Sequence, residues 1–304
     1  MTSATTSATT SATTSATTFV SVHDRQRPGV RAAVRSIQAL TLVLLLLIGV
    51  GPLYWMVKGA VSPPTELTTR PLALWPDRPL LDNFATAYTD LSVGHYLMNT
   101  LLVVGGSWAV QLFISATAGF ALSVLRPKFG KVVYGAILAT MFVPYTVNMV
   151  SLFMTVIDVP FLHLNLGDTY WAIWLPAGTN AFTVLLAKQF FDALPRELFD
   201  AARVDGVSTR QLLTKIVLPM SRPVLAVISL LAVMHSWKDF IWPLVALTDP
   251  EKQPISVALA QLATQAPQDQ LIAAMVMAVA PPVIVFAVCQ KYIVAGLGFT
   301  GVKG

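Results

Sequence analysis

The chain is 304 residues long, 55% hydrophobic and 12% charged, with a formal net charge of +5. Soluble domains carry about 25% charged residues, so this composition excludes a soluble globular protein. The basic residues are scattered between apolar stretches rather than gathered on one face or in one run, which argues against a nucleic-acid partner.

In chain order, residues 2–17 are four copies of Thr-Ser-Ala-Thr. Such a segment buries too little apolar surface to offset its ordering entropy, which predicts a disordered tail over 1–28 and a membrane domain over 29–304. The tail has no basic n-region, so it does not read as a removable signal peptide. Arg25, Arg27, Arg31 and Arg35 precede the first apolar run and read as a signal retaining the N-terminus inside.

Six uncharged or nearly uncharged spans follow, near 36–57, 96–125, 132–157, 169–187, 223–247 and 270–290. A helix needs about 20 residues to cross the hydrocarbon layer, and each span approaches or exceeds that length. The fourth is interrupted by Pro176 and Gly178. If the N-terminus is inside, the inside segments hold fifteen of the twenty basic residues; the remaining five are Lys58, Arg70, Arg78, Lys238 and Lys252. The positive-inside rule then puts both termini in the cytoplasm.

Two loops on the opposite side differ in character. Residues 58–95 contain five prolines and read as a stiff, extended connection. Residues 248–270 are polar, with a short helix predicted over 256–262, and both loops are candidate docking points for a soluble partner.

The longest polar segment between two spans, 195–219, falls on the cytoplasmic side and reads as helix rather than loop. Pro195 suits a first helical position. Gly206 sits where a left-handed residue would close the first helix. Ser208 and Gln211 form an S-x-x-Q capping box that starts a second helix, predicted to end over Ile216-Val217-Leu218-Pro219.

Within that knuckle, Asp200-Ala201-Ala202, three residues, Gly206, nine residues, Ile216, one residue and Leu218-Pro219 resemble the EAA signature of permeases of binding-protein-dependent ABC importers, with Asp in place of Glu at 200. Local similarity to the carbohydrate-importing, MalG-like permeases continues at Pro52-Leu53-Tyr54-Trp55-Met56-Val57, Asn99-Thr100, Val143-Pro144, Ser236 to Leu244, and the ending Tyr292 to Gly304. The resemblance implies an all-α membrane protein with the type I ABC importer permease fold, six transmembrane helices here and both termini cytoplasmic, in the inner membrane of a prokaryote. It implies that Asp200, Ala201, Ala202, Asp205, Gly206, Ile216, Leu218 and Pro219 form the coupling helices that dock on an ATP-hydrolysing subunit. The implied partners are a second homologous permease in a heterodimer, two ATPase subunits, an extracytoplasmic solute-binding protein and membrane lipid. No cofactor is expected on this chain; ATP and magnesium belong to the ATPase.

The third span carries Thr140, Tyr145, Thr146, Asn148, Ser151 and Thr155, and the fifth carries Trp237-Lys238-Asp239. Tyr145, Asn148, Ser151, Trp237, Lys238 and Asp239 are the candidates for a solute path. Polar groups in a membrane helix also serve as helix–helix glue at about 0.6 kcal/mol each, and Lys238 has the alternative of snorkelling to the interface. Similar permeases usually carry Trp-Asn-x-Phe where this chain has Trp237-Lys238-Asp239-Phe240.

No catalytic or metal site is expected. The single cysteine, Cys289, lies inside an apolar span, the histidines lack H-x-x-x-H spacing, and no G-x-x-x-x-G-K-[ST] occurs. Gly296 to Gly301 matches G-x-G-x-x-G, but it follows a membrane span instead of a strand, which removes its mechanism. The chain therefore reads as a transport subunit and not an enzyme, moving a sugar or related polar solute of oligosaccharide, amino sugar, polyol or glycerol-phosphate type. A self-sufficient secondary transporter or channel, and a membrane scaffold, are the alternatives.

Overall fold

A computed structural model describes the backbone of residues 28–298 and the side chains of 28–290. The Thr-Ser-Ala-Thr repeats, Arg25, Arg27 and the ending 299–304 lie outside the described residues, as do the side chains of Lys291 and of Tyr292 to Leu297. Among the described residues every regular element is helical; the β contact is an isolated bridge between Val159 and Leu164.

The chain divides into two units, Met1–Trp55 and Met56–Gly304. The first contributes most of helix α1 (Pro28–Ala60), in which Ile37, Leu40, Leu44, Leu47 and Ile48 are exposed, as suits a helix solvated by lipid.

The second unit is organised along α4 (Val93–Phe120), which runs on through a π-helical turn, Ala121–Leu125. At 1.5 Å per residue α4 is about 42 Å long, and three apolar clusters follow it. Near its start, Val93 packs with Ala87 of α3 (Asp82–Asp90), Ile255 of α14 (Ile255–Leu262) and Ala273 and Ala274 of α15 (Gln268–Gly298). Midway, Val103 packs with Val156, Ala172, Ile173, Trp242 and Leu247. At its far end Phe120 and Val124 join Ala187, Phe191, Phe199, Ala202, Leu212 and Val217. There Gly119 lets α8 (Ala181–Asp192) approach: a Cβ on it would stand 2.8 Å from the Cβ of Ala187 and 3.0 Å from the Lys188 nitrogen.

Among the described residues three helices are long and apolar enough to span a bilayer: Pro28–Ala60, Val93–Leu125 and Gln268–Gln290. The number rises to five if each bent pair is one span. The predicted third span is such a pair, α5 (Gly130–Thr140) and α6 (Tyr145–Ile157), bent by 112°. Pro144 causes the elbow: it disfavours helix at Val143 and supplies no N–H, so the chain restarts a helix at Tyr145. The predicted fourth span is two short helices, α7 (Trp171–Ala177) and α8, separated at 178–180. The predicted fifth breaks at Asp239 between α12 (Arg222–Lys238) and α13 (Ile241–Ala246).

The proline-rich loop 58–95 is more structured than its composition suggested. It forms α2 (Pro64–Thr69) and α3, and the Asn83 amide donates to the carbonyls of Ala60 and Ser62 at 3.0 and 3.2 Å, tying the loop to the end of α1. Pro63 and Pro64 sit at the start of α2 and Pro71 in a turn, where a missing N–H costs nothing, and Pro76 and Pro79 lie in irregular backbone. The helix predicted in the second loop is present as α14, beginning one residue earlier at Ile255.

Candidate functional site

The knuckle begins with α9 (Arg196–Val204). Pro195 is the N-cap, with extended backbone at φ −56°, ψ 127°, and not the first helical residue expected for it. The helix closes at Gly206, φ +70°. The Gly206 N–H donates to Arg203 O at 3.1 Å and the Val207 N–H to Ala202 O at 2.9 Å, the paired bonds of a Schellman closure. The Ser208–Gln211 capping box is complete: the Gln211 N–H donates to Ser208 Oγ at 3.4 Å and the Ser208 N–H to Gln211 Oε1 at 3.1 Å.

The second helix does not end over 216–219. It passes from α10 (Thr209–Gln211) through π turns, Leu212–Val217, into α11 (Leu218–Met220). Pro219 cannot donate to Lys215, and the wider π spacing relieves the clash of its ring with that carbonyl, so the helix continues past Pro219 to Met220. It then bends by 82° into α12.

Burial divides the EAA-like residues into two groups. Ala202 is buried among Phe199, Leu212 and Val217, whereas Asp200, Ala201, Asp205, Gly206 and Pro219 are exposed and Ile216 and Leu218 are partly covered. Val204, which the signature does not include, is 88% exposed and is the most prominent apolar side chain of this face.

The second feature is a cavity of about 670 Å³. Its wall is made at the three helix interruptions: Thr140, Met141 and Val143 at the α5–α6 elbow, Ala177, Thr179 and Asn180 between α7 and α8, and Asp239 between α12 and α13. Irregular backbone is tolerated at membrane depth where it lines a cavity, because the freed polar groups find water or solute there. Tyr145, Asn148, Ser151 and Thr155 all line it. Their spacing of three, three and four residues puts them on one face of α6.

Of the candidates in the fifth span, Asp239 lines the cavity, but Trp237 and Lys238 do not. His235 and Ser236 take their place, because positions 235, 236 and 239 share a helix face from which 237 and 238 are rotated. Thr146 is likewise absent from the wall. Sequence reasoning missed His235, Ser107 and Asn180; the four-residue step from His235 to Asp239 was the available signal for the first, whereas Ser107 sits on α4 and Asn180 at the break before α8, whose approach no local pattern announces.

At the start of α4, side chains tie the loop after α13 to the bundle. The Asn99 amide donates to Glu251 O at 2.7 Å and Gln253 O at 3.1 Å, and its Oδ1 accepts from Tyr170 Oη at 3.0 Å. Thr100 Oγ1 accepts from the Ile255 N–H at 2.9 Å. Asp168 accepts from the Asp249 N–H at 2.9 Å and from Lys252 Nζ at 3.3 Å. The Asp249 N–H, followed by the Lys252 ammonium, outweighs desolvation and holds the Asp168 carboxyl below its ordinary 3.8. Asp168 and Asp249 together raise Lys252 above its ordinary 10.5.

A broken-helix bundle with a polar cavity and an amphipathic knuckle at the far end of its central helix defines a membrane transport subunit. The chain belongs to the family of binding-protein-dependent transport system inner membrane components, which matches residues 111–298. It is 33% identical to the arabinooligosaccharides transport system permease protein AraQ of Halalkalibacterium halodurans, over 84% of this chain and 92% of that protein. It is 27% identical to the lactose transport system permease protein LacG of Rhizobium radiobacter, over 86% of this chain and 94% of that one. Its fold is similar to a chain of a bacterial ABC transporter involved in the import of the acidic polysaccharide alginate, with a TM-score of 0.76, 26% identity, and coverage of 91% of this chain and 99% of that chain.

Proposed function

We propose that this chain is a permease subunit of an ATP-driven importer that moves a sugar or related polar solute across the inner membrane. The observation that carries this reading is the cavity of about 670 Å³ that three helix breaks border and that Tyr145, Asn148, Ser151, His235 and Asp239 line. Hydroxyls, an amide and a carboxylate present donors and acceptors in the pattern that a polyhydroxylated solute needs, and the relatives named for arabinooligosaccharide and lactose transport support the carbohydrate class. Among the described residues the wall holds no Lys or Arg, which favours a neutral solute over an anionic one.

In this reading the chain crosses the membrane six times, with the α5–α6 and α7–α8 pairs each counting as one crossing and both termini in the cytoplasm. A second, homologous permease completes the translocation path, and an extracytoplasmic binding protein delivers the solute. Two ATPase subunits, which bind ATP and magnesium, dock on the exposed face of the knuckle formed by Asp200, Ala201, Val204, Asp205 and Gly206. Their closure moves the knuckle and switches the cavity between its two openings.

Reconstitution tests the reading. The chain, its partner permease and the ATPase should take up radiolabelled sugar only with ATP and the binding protein present. Uptake by the purified chain alone, driven by a proton or sodium gradient, would instead make it a self-sufficient secondary transporter.

A further inference from the structure

Asp192, the last residue of α8, joins three elements through one carboxylate. Its Oδ2 accepts from Lys188 Nζ at 2.5 Å, one turn back on α8. Its Oδ1 accepts from Ser123 Oγ at 2.8 Å, in the π turn that ends α4, and from Arg196 Nη2 at 3.4 Å, at the start of α9. The arrangement is closed by two further bonds to the Ser123 carbonyl, from Arg196 Nη1 at 3.3 Å and Arg126 Nε at 3.0 Å. Lys188 Nζ also lies 4.8 Å from the centre of the Tyr134 ring, which brings α5 into the group.

Apolar packing beneath the knuckle, by Phe199 and Ala202 on Phe120, Val124 and Phe191, is non-directional and permits sliding. A carboxylate held by three donors from three elements fixes both distance and angle, and charge-assisted bonds are the strong ones. Asp192 is only partly covered, with 34% of its side chain exposed, which limits the desolvation that burying such a group costs. The two helices it joins lead to the cavity: α8 contributes Ala181 and Phe182 to the wall at its other end, and α4 contributes Val103 and Ser107.

We propose that Asp192 is the positioning residue that makes the knuckle and the ends of α4 and α8 move as one body, so that motion imposed on the knuckle reaches the cavity. The proposal rests on the knuckle being the ATPase-docking element, as argued above.

The test uses the full importer in lipid nanodiscs, with its binding protein, in a Cys289→Ser background. Spin labels are placed at Thr214→Cys in the knuckle and Phe113→Cys on α4, both exposed positions. Pulsed electron–electron resonance reads their separation before and after trapping with ATP and vanadate. In the wild-type and Asp192→Glu proteins the separation should stay single and unchanged. In Asp192→Ala it should broaden and shift by several ångströms on trapping, because the knuckle then moves without α4. An Asp192→Ala separation that stays as narrow and constant as the wild type's would overturn the proposal. If that variant fails to assemble, Ser123→Ala carries the same criterion, since it removes one donor and leaves both ion pairs. Assembly with the ATPase and ATP hydrolysis by the wild-type complex are scored separately, and their absence would instead refute the docking role of the knuckle.

Discussion

The indole Nε1 of Trp237 donates to the main-chain carbonyl of Ala278 at 3.1 Å. In α15 that carbonyl would normally accept from the residue four places on, which is Pro282 and has no N–H. Trp237 thus supplies the hydrogen bond that the proline removes and joins α12 to α15. This bond accounts for a tryptophan that does not line the cavity.

Trp237→Phe should therefore act on stability and not on selectivity. It leaves a partly buried carbonyl without a donor, a loss of about 1–3 kcal/mol. Pro282→Ala in the same chain restores an N–H and should recover part of that loss. Thermal unfolding of the single and double variants in detergent checks the cycle; equal loss in both would show that the carbonyl is not the cause.

Asn148→Leu and Asp239→Asn should raise the KM for solute uptake with little change in the amount of assembled complex. Both residues line the cavity; leucine at 148 cannot pair with a solute hydroxyl, and an amide at 239 replaces a charged acceptor with a weaker neutral one. Lys238→Asn, which lies off the wall, should leave KM within about twofold of wild type, less than the tenfold that 1.4 kcal/mol represents. A large KM change in the Lys238 variant alone would restore it to the solute path.

Gly206→Val should abolish ATP-driven uptake while membrane insertion persists. A Cβ there meets nothing within 4 Å, so the penalty is conformational and not steric: φ is +70°, and an L-residue in that region costs about 1–2 kcal/mol, more when β-branched. Uptake and ATPase copurification measured together separate a distorted knuckle from a lost protein. Asp200→Glu should be nearly silent, since Asp200 is exposed and its pair with Arg203, 3.2 Å away, is a surface one.

The loop held by Asp168 should open in acid and in strong base. A carboxyl held below 3.8 stabilises the closed loop fully above its unfolded value, and that contribution is lost as pH falls through the depressed folded value. Lys252, raised above 10.5, contributes below its unfolded value and loses its contribution as pH rises through the folded one. Hydrogen exchange of the Asp249 amide should accelerate beyond its intrinsic pH dependence at the acid limit, and Asp168→Asn should remove most of that extra acid dependence.

Gly119→Val should prevent α4 and α8 from packing. Its Cβ would fall 2.8 Å from the Cβ of Ala187 and 3.0 Å from a backbone nitrogen, neither of which can swing aside. Loss of assembled protein after detergent extraction is expected; normal yield with normal uptake would show that the two helices separate readily.

The closure of the first knuckle helix and the start of the second were legible because their determinants are local, whereas the capping place of Pro195 and the passage of the helix through Pro219 were not. The left-handed Gly206 and the Ser208–Gln211 box each act within one helical turn, and the length and apolar content of α1, α4 and α15 make them candidate membrane spans. The polar face of α6 was equally legible, since 145, 148, 151 and 155 recur at helical spacing. The 112° elbow ahead of that face was not, although Pro144 marked its position: a proline permits a bend, while the helices packed on either side set its angle. The choice of His235 and Ser236 over Trp237 and Lys238 for the cavity wall was decided by how α12 is rotated against α4 and α15. That rotation depends on contacts such as that of Trp237 with Ala278, 41 residues apart. No periodicity within a single helix encodes such contacts, because each is set by which surfaces the rest of the chain leaves free to meet.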